Sequence, residues 1–336
     1  MSLRSRTGDG GVERVVAIDW SGRVDAAGQR RHIYAGVWTA EGAGGGVGRR
    51  GRGVGAVYGG RMALGNGRTR AEVAEWLIGM ARETPRMVVG FDFCFSFPEW
   101  FVQGEHGCAD GPEFWRVVAE EHGERWLERG HEDRRFWGKP HKRPAEFSGE
   151  NLHRMMRATD IDCKLIAHIP EEERVARVKG ITPKSVFQIG GSGSVGTASL
   201  RGMPVLLRLR EAGFRVWPFD EPRLGGDTAR AGSSGARAGP RAQPLVVEMY
   251  SRLNTGAVHK SDAGARAAYL AAKRKSHAAY AGLTRVVMER ARASEDAFDA
   301  LVSTMVMAER RAEFAELPQP RDLKYRVEGW TWAPGV

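Results

Sequence analysis

"VVAIDWSG" (residues 15–22) is an apolar run that ends in an acid, an indole, a hydroxyl and a glycine. An ionised carboxylate taken out of water without a partner is strongly destabilising. An aspartate where a buried strand runs out therefore calls for a compensating charge. The compensation expected at Asp19 is a divalent cation, shared with acids brought from far along the chain.

The same context recurs twice. "RMVVGFDFCFSFP" (86–98) carries Asp92 and "PLVVEMYS" (244–251) carries Glu248, each acid near the carboxyl end of an apolar stretch. In α/β sheets that end is where ligand sites assemble, because the loops diverge there. "SEDAFDALVSTMVMAERRAEF" (294–314) reads as a helix on which Asp296 and Asp299 lie three apart, on neighbouring surface positions. Around Asp299 stand Phe298, Ala300, Leu301, Val302, Met305 and Val306, so its carboxylate has little access to open water.

Each acid also has a local explanation. Asp19 can cap the "DWSG" turn, Asp92 can accept from backbone amides, Glu248 can pair with an arginine, and Asp296 suits a helix N-terminus. Gathered together, such hard oxygen donors suit Mg²⁺ or Mn²⁺. Two of these ions about 4 Å apart activate a water and stabilise the leaving oxygen of a phosphodiester.

Composition is that of a globular chain. Its 336 residues are 42% hydrophobic and 27% charged, and no apolar stretch approaches the roughly 20 residues of a membrane span. Three scattered cysteines make no disulfide framework, and the N-terminus lacks the apolar core of a secretory signal, so a soluble cytoplasmic protein is expected. A formal charge of +10 favours polyanionic partners, although arginine-rich composition alone produces the same balance.

Strand and helix signals alternate. Residues 14–20 and 32–39 read as a hairpin, with a further strand near 55–58 in a glycine-rich loop. "TRAEVAEWLIGMARE" (69–83) reads as a helix capped by Thr69, "KSVFQI" (184–189) and "FRVWPFD" (214–220) as strands, and "MPVLLRLREAG" (203–213) as a helix. Residues 94–180 interrupt this rhythm as an insertion, splitting a domain into halves at 12–93 and 181–312, and 313–336 form a tail. Residues 222–243 read as a mobile loop.

"AIDWSG" (17–22), "GFDFCFSFP" (90–98), "GGSGSVGTASLRGMPVLLRLREAGFRVWPFD" (190–220), "VVEMYSR" (246–252) and "EDAFDAL" (295–301) together resemble the DUF429 family of predicted nucleases with a ribonuclease H-like fold. The resemblance covers most of 14–312 outside the insertion. It implies an α/β architecture with a mixed five-stranded sheet, its first three strands antiparallel, flanked by helices; the insertion and an extra strand would be additions. It places metal-binding acids on the first strand (Asp19), the fourth (Asp92) and the final helix (Asp296, Asp299). Glu248 matches the family's E-x-Y glutamate, with Ser251 where many relatives have proline.

The expected activity is that of a metal-dependent nuclease acting on DNA or RNA. Asp19 would bridge two ions, Asp92 and Asp299 would hold one each, and Glu248 or Asp296 would complete a shell. Phosphate contacts are expected from "QIGGSGSVGTASLRG" (188–202), through Ser192, Ser194 and Thr197 with nearby Lys184. Nucleic-acid contacts are expected from "HEDRRFWGKPHKRP" (131–144), through Arg134, Arg135 and Lys139 beside the aromatic Phe136 and Trp137. Lys260, Arg266, Lys273, Arg274 and Lys275 read as a charged solvent face. His106, Cys108 and His141 lack the companion spacing of transition-metal ligands. Two rival readings remain: an actin-like ATP-dependent kinase or ATPase, and a non-catalytic nucleic-acid-binding protein.

Overall fold

The computed structural model describes residues 11–42, 57–128, 133–138, 142–166, 183–191, 194–225 and 241–335. The fold is α/β, built on a mixed sheet of seven strands flanked by helices. β1 (Arg14–Asp19) pairs antiparallel with β2 (Tyr34–Ala40), and β2 pairs antiparallel with β3 (Gly60–Gly65). On its other edge β1 runs parallel to β4 (Met87–Phe91). Outward from β4 come β5 (Arg215–Val216) and β6 (Leu245–Met249), the path across the sheet being β3-β2-β1-β4-β6-β5. The short β7 (Thr331–Trp332) also pairs parallel with β6.

β5 and β7 divide one edge between them. Val216 lies opposite Val246 at the start of β6, whereas Thr331 lies opposite Glu248 at its end. The strand read over 214–220 is cut to two residues because the chain turns: the Asp220 N–H donates to the Val216 carbonyl at 2.8 Å, and the Asp220 carboxylate accepts from the Val216 N–H at 3.1 Å. The tail thus enters the sheet in the place that 214–220 vacates. "KSVFQI" is likewise no strand. Ser185 donates its hydroxyl to the Met155 carbonyl, and Gln188 turns back onto Ser185 at 3.0 Å.

Alternation along the strands separates two cores. Val16, Ile18, Val89, Phe91 and Val246 face helices Arg70–Glu83 and Val195–Glu211 and the aromatic part of the insertion. There Phe97, Phe101, Phe114, Trp126, Phe136 and Phe187 pack ring against ring. Val15, Ala17, Val88, Val247 and Met249 face the closing helix Glu295–Glu309.

Local signals set the helix ends. Thr69 and Glu72 form a reciprocal capping box at Arg70–Glu83, and Ser294 caps the closing helix by accepting from the Ala297 N–H. The polar turn read between β1 and β2 holds a short helix, Ala26–His32, capped by Asp25. The strand read near 55–58 is not there: residues 55–56 lie outside the described residues, Val57 only bridges to Gly60 across a turn, and the strand is β3 at Gly60–Gly65. Most of 222–243 lies outside the described residues.

Gly36 on β2 is where the closing helix touches the sheet. A Cβ there would stand 2.2 Å from Thr304 Oγ1 and 2.7 Å from the Ala300 carbonyl. That hydroxyl already donates to the same carbonyl at 2.7 Å, so it has no room to swing away. Overpacking of this kind typically costs about 1–3 kcal/mol. Gly36→Ala should therefore lower unfolding free energy by that amount in urea titration, and wild-type stability in the variant would show that the helix is not seated on β2.

Candidate metal centre

The strand register decides which acids can meet. Ile18, Phe91 and Glu248 stand at one level across β1, β4 and β6, with side chains on the face of the aromatic core. Asp19 and Asp92 are the next residues along, so both turn to the other face, toward the closing helix. That helix supplies Asp299, 2% exposed, and one turn earlier Asp296, which is partly exposed.

The charges of these acids act on one another, although the three aspartates do not all bring an oxygen within 4.8 Å of the other two. Burial, followed by the charges of Asp92, Asp299 and Asp296, pushes Asp19 well above the ordinary carboxylate range, while Lys260 pulls it down. Burial raises Asp92 to about 7, against the pull of a hydrogen bond from the Trp20 N–H to its Oδ1 at 2.7 Å. Asp19 and Asp92 are also within hydrogen-bonding reach of each other. Asp299 is raised chiefly by burial, with Lys260 opposing. Its Oδ2 pairs with the Lys260 ammonium, and its Oδ1 is buried without a hydrogen-bond partner.

Lys260 is one of the residues that sequence reading misplaced. Instead of a solvent face it sits on the loop before helix Ala263–Ser276, 3.4 Å from Ser251 Oγ and 3.9 Å from Glu295. Burial lowers its affinity for a proton, but Asp299, Asp19 and Asp92 outweigh this and raise it above its usual value. Arg266, likewise read as part of a solvent face, is instead buried and donates to the Lys260 carbonyl, which fixes the loop. The legible signal was Asp262, whose cap of Ala265 starts the helix after Lys260 and leaves that lysine off its surface. Arg274 and Lys275 are exposed, as expected.

The loop after Asp19 is pinned from the opposite side. Arg70 donates to the carbonyls of Ser21 (3.2 Å) and Arg23 (2.6 Å), and Arg201 to that of Gly22. Gly22 allows close approach, since a Cβ there would lie 2.8 Å from Thr197 Cγ2. The glycine-rich turn therefore abuts "DWSG". Thr197 spends its hydroxyl on the Ile189 carbonyl at 2.5 Å, and Ser194 makes no side-chain cap, while Ser192 lies outside the described residues.

Glu248 is not part of the aspartate group. Its Oε2 accepts from the Phe95 N–H and Arg157 Nη1, and its Oε1 from Arg157 Nη2 and the Thr331 hydroxyl, all at 2.7 Å. Arg157 also holds Asp160 at 2.8 and 3.0 Å and the Glu328 carbonyl at 3.1 Å. Ligand atoms of Cys94, Asp160 and Glu248 lie within 4.8 Å of one another, the only such triad among the described residues. The Arg157 guanidinium already supplies the positive charge there, and burial keeps the Cys94 thiol well above its ordinary pKa, hence protonated. This is a structural ion network that joins insertion, sheet and tail.

The aspartate group suits a hard divalent cation better. Its donors are carboxylates, one oxygen is buried and unsatisfied, and an ammonium stands in the role of a cation. Lys184, exposed, borders a cavity of about 70 Å³ that Asp92 and Glu248 also line. In the insertion Arg134 is exposed, but Arg135 is held by Asp133 and Glu105, and Phe136 and Trp137 are buried. Those two rings serve the core and offer no stacking surface to nucleic acid. Lys139 lies outside the described residues. No helix among the described residues is long and apolar enough to cross a membrane.

Comparison with family models, with curated proteins and with solved structures returns no match.

Arg157→Met should strand Asp160 and Glu248 as unpaired buried acids and cost about 3–5 kcal/mol in denaturant unfolding; a loss below about 1 kcal/mol would show that the network is dispensable. The aspartates behave oppositely. Because Asp92 titrates higher in the folded chain than in the unfolded one, the folded state holds the extra proton between the ordinary carboxylate range and about pH 7, and stability falls as pH rises through that window. In chelator, Asp92→Asn should therefore melt above wild type at pH 8, with the advantage shrinking toward pH 5. A pH-independent difference would refute the repulsion.

Proposed function

We propose that this chain is a divalent-metal-dependent phosphodiester hydrolase acting on DNA or RNA, built on a ribonuclease H-like frame. The observation that carries the reading is the convergence of Asp19, Asp92 and Asp299, from two adjacent strand ends and the closing helix, on one face of the carboxyl edge. The antiparallel order of β1, β2 and β3, with β4 and β6 parallel to β1, agrees with the fold that the sequence resemblance implies. Membership of the DUF429 family is proposed on the same motifs. A net charge of +10 favours a polyanionic substrate.

Asp19, Asp92 and Asp299 would hold the ions. Mg²⁺ or Mn²⁺ would supply the activated water and stabilise the charge on the leaving oxygen. The chain's own part is positional. Trp20 N–H orients Asp92, Arg70 and Arg201 hold the loop after Asp19, and Ser251 with Lys260 orients Asp299. Glu248, committed to Arg157, would not be among the residues that hold the ions.

Asp19→Asn should abolish Mg²⁺- or Mn²⁺-dependent cleavage of DNA and RNA oligonucleotides, and with it the rise in melting temperature that the metal produces, while the metal-free fold survives. Retained cleavage by this variant would overturn the assignment.

A further inference from the structure

Arg70 begins helix Arg70–Glu83 and reaches the loop after Asp19, where its Nη1 donates to the carbonyls of Ser21 at 3.2 Å and Arg23 at 2.6 Å. Arg201, on helix Val195–Glu211, has the same build, since its Nη1 donates to the Gly22 carbonyl. The two differ at the other edge of the guanidinium. Nε and Nη2 of Arg201 grip the two oxygens of Glu124, both at 2.8 Å, and that arginine side chain is 9% exposed. Nε and Nη2 of Arg70 meet no acceptor among the described residues, and neither atom is sealed from solvent.

Arg70, Arg201 and Glu124 line one cavity of about 650 Å³, between the two helices and residues 118–128 of the insertion. Its volume falls within the roughly 300–1,000 Å³ of small-molecule sites. The Nε–Nη2 edge of a guanidinium matches the paired oxygens of a carboxylate or a phosphate, as Glu124 on Arg201 illustrates. The surrounding charges favour an anion on Arg70 as well. Burial lowers Arg70 to about 10, the charge of Arg201 adds to that, and only Glu124, already held by Arg201, opposes. Arg70 is therefore a cation at neutral pH that has no acid of its own. Elsewhere in the cavity Ala74, Val118 and Leu200 give an apolar wall, and the exposed Glu120 and Glu128 offer acceptors. A phosphate, a flat base and hydroxyl or amino donors, joined in one molecule, answer these three features in turn.

We propose that this cavity binds a nucleoside monophosphate, with the phosphate on the Nε–Nη2 edge of Arg70 and the base against Ala74, Val118 and Leu200. None of Asp19, Asp92 and Asp299 lines it, so the inference stands apart from the hydrolase reading. Arg70 holds the phosphate with one edge and the loop with the other. Occupancy thus restrains residues 21–23, the segment that follows Asp19.

The test is calorimetric titration of the full chain in EDTA, which keeps phosphate off any metal at the aspartates. The titrants are the four ribonucleoside 5′-monophosphates, their nucleosides and inorganic phosphate. At least one monophosphate should bind with a Kd below about 1 mM, and about tenfold or more tighter than its nucleoside or phosphate. Arg70→Lys, which keeps the charge and loses the fork, should weaken that binding about tenfold or more. Ala119→Trp, at an exposed position on the cavity wall, should block it with the melting temperature preserved. Asp19→Asn should bind as the wild type does, and amide exchange at residues 21–23 should slow when the ligand is added. Absence of saturable binding, phosphate binding as tightly as the best monophosphate, affinity indifferent to both Arg70→Lys and Ala119→Trp, or affinity lost in Asp19→Asn would overturn the proposal. Failure of the wild-type chain to cleave nucleic acid with Mg²⁺ or Mn²⁺ would overturn the hydrolase reading and leave this site standing.

Discussion

Repulsion among Asp19, Asp92 and Asp299 is the constraint that the surrounding structure exists to hold. Like charges in a poorly solvated place separate or take up protons unless the framework forbids the first. Here it does. Two carboxylates follow directly from adjacent parallel strands, whose spacing is fixed by ladder hydrogen bonds, and the third rides on a helix clamped to β2 at Gly36. The remaining response is protonation, toward which all three are displaced, and the single ammonium of Lys260, paired with Asp299, opposes that displacement at each of them.

The carboxyl edge of the sheet therefore has two unlike faces. On one, Glu248 and Asp160 share the Arg157 guanidinium, and the N–H of Phe95 and the hydroxyl of Thr331 complete Glu248. Each carboxylate oxygen of that pair has a donor inside the protein. On the other face the acids outnumber their cation, and one buried oxygen has no donor. A satisfied network stiffens a fold, whereas an unsatisfied one invites a guest. The same residue type serves both purposes, one residue apart in register.

Much of this was legible in the sequence. Asp19, Asp92 and Asp299 were readable because an acid at the end of an apolar run contradicts its surroundings, and the helix capped by Thr69 followed from local chemistry. The position of Glu248 was harder. It satisfied the same pattern, and only the strand pairing, which puts it level with Ile18 and Phe91, reveals the opposite face. Lys260 and His32 carried no signal of their own, since a basic residue in a loop looks the same whether it meets solvent or an acid over 200 residues away, as His32 does at Asp296. Phe136 and Trp137 misled in the other direction: aromatic residues among arginines suit both nucleic acid and a core, and burial decided for the core. The tail escaped notice because a two-residue strand has no periodicity to read.

Lys260 gives this arrangement its particular character. An ammonium beside Asp299 tempers the repulsion, yet its single charge faces three carboxylates. Its flexible stem can withdraw at low cost, unlike the forked guanidinium of Arg157, which is bound by two acids and a carbonyl at once. A lysine placed here and an arginine placed there divide the labour in the way their chemistry dictates. The arginine makes a permanent core of the edge it occupies. The lysine holds its acids together while leaving them open to a cation of higher charge.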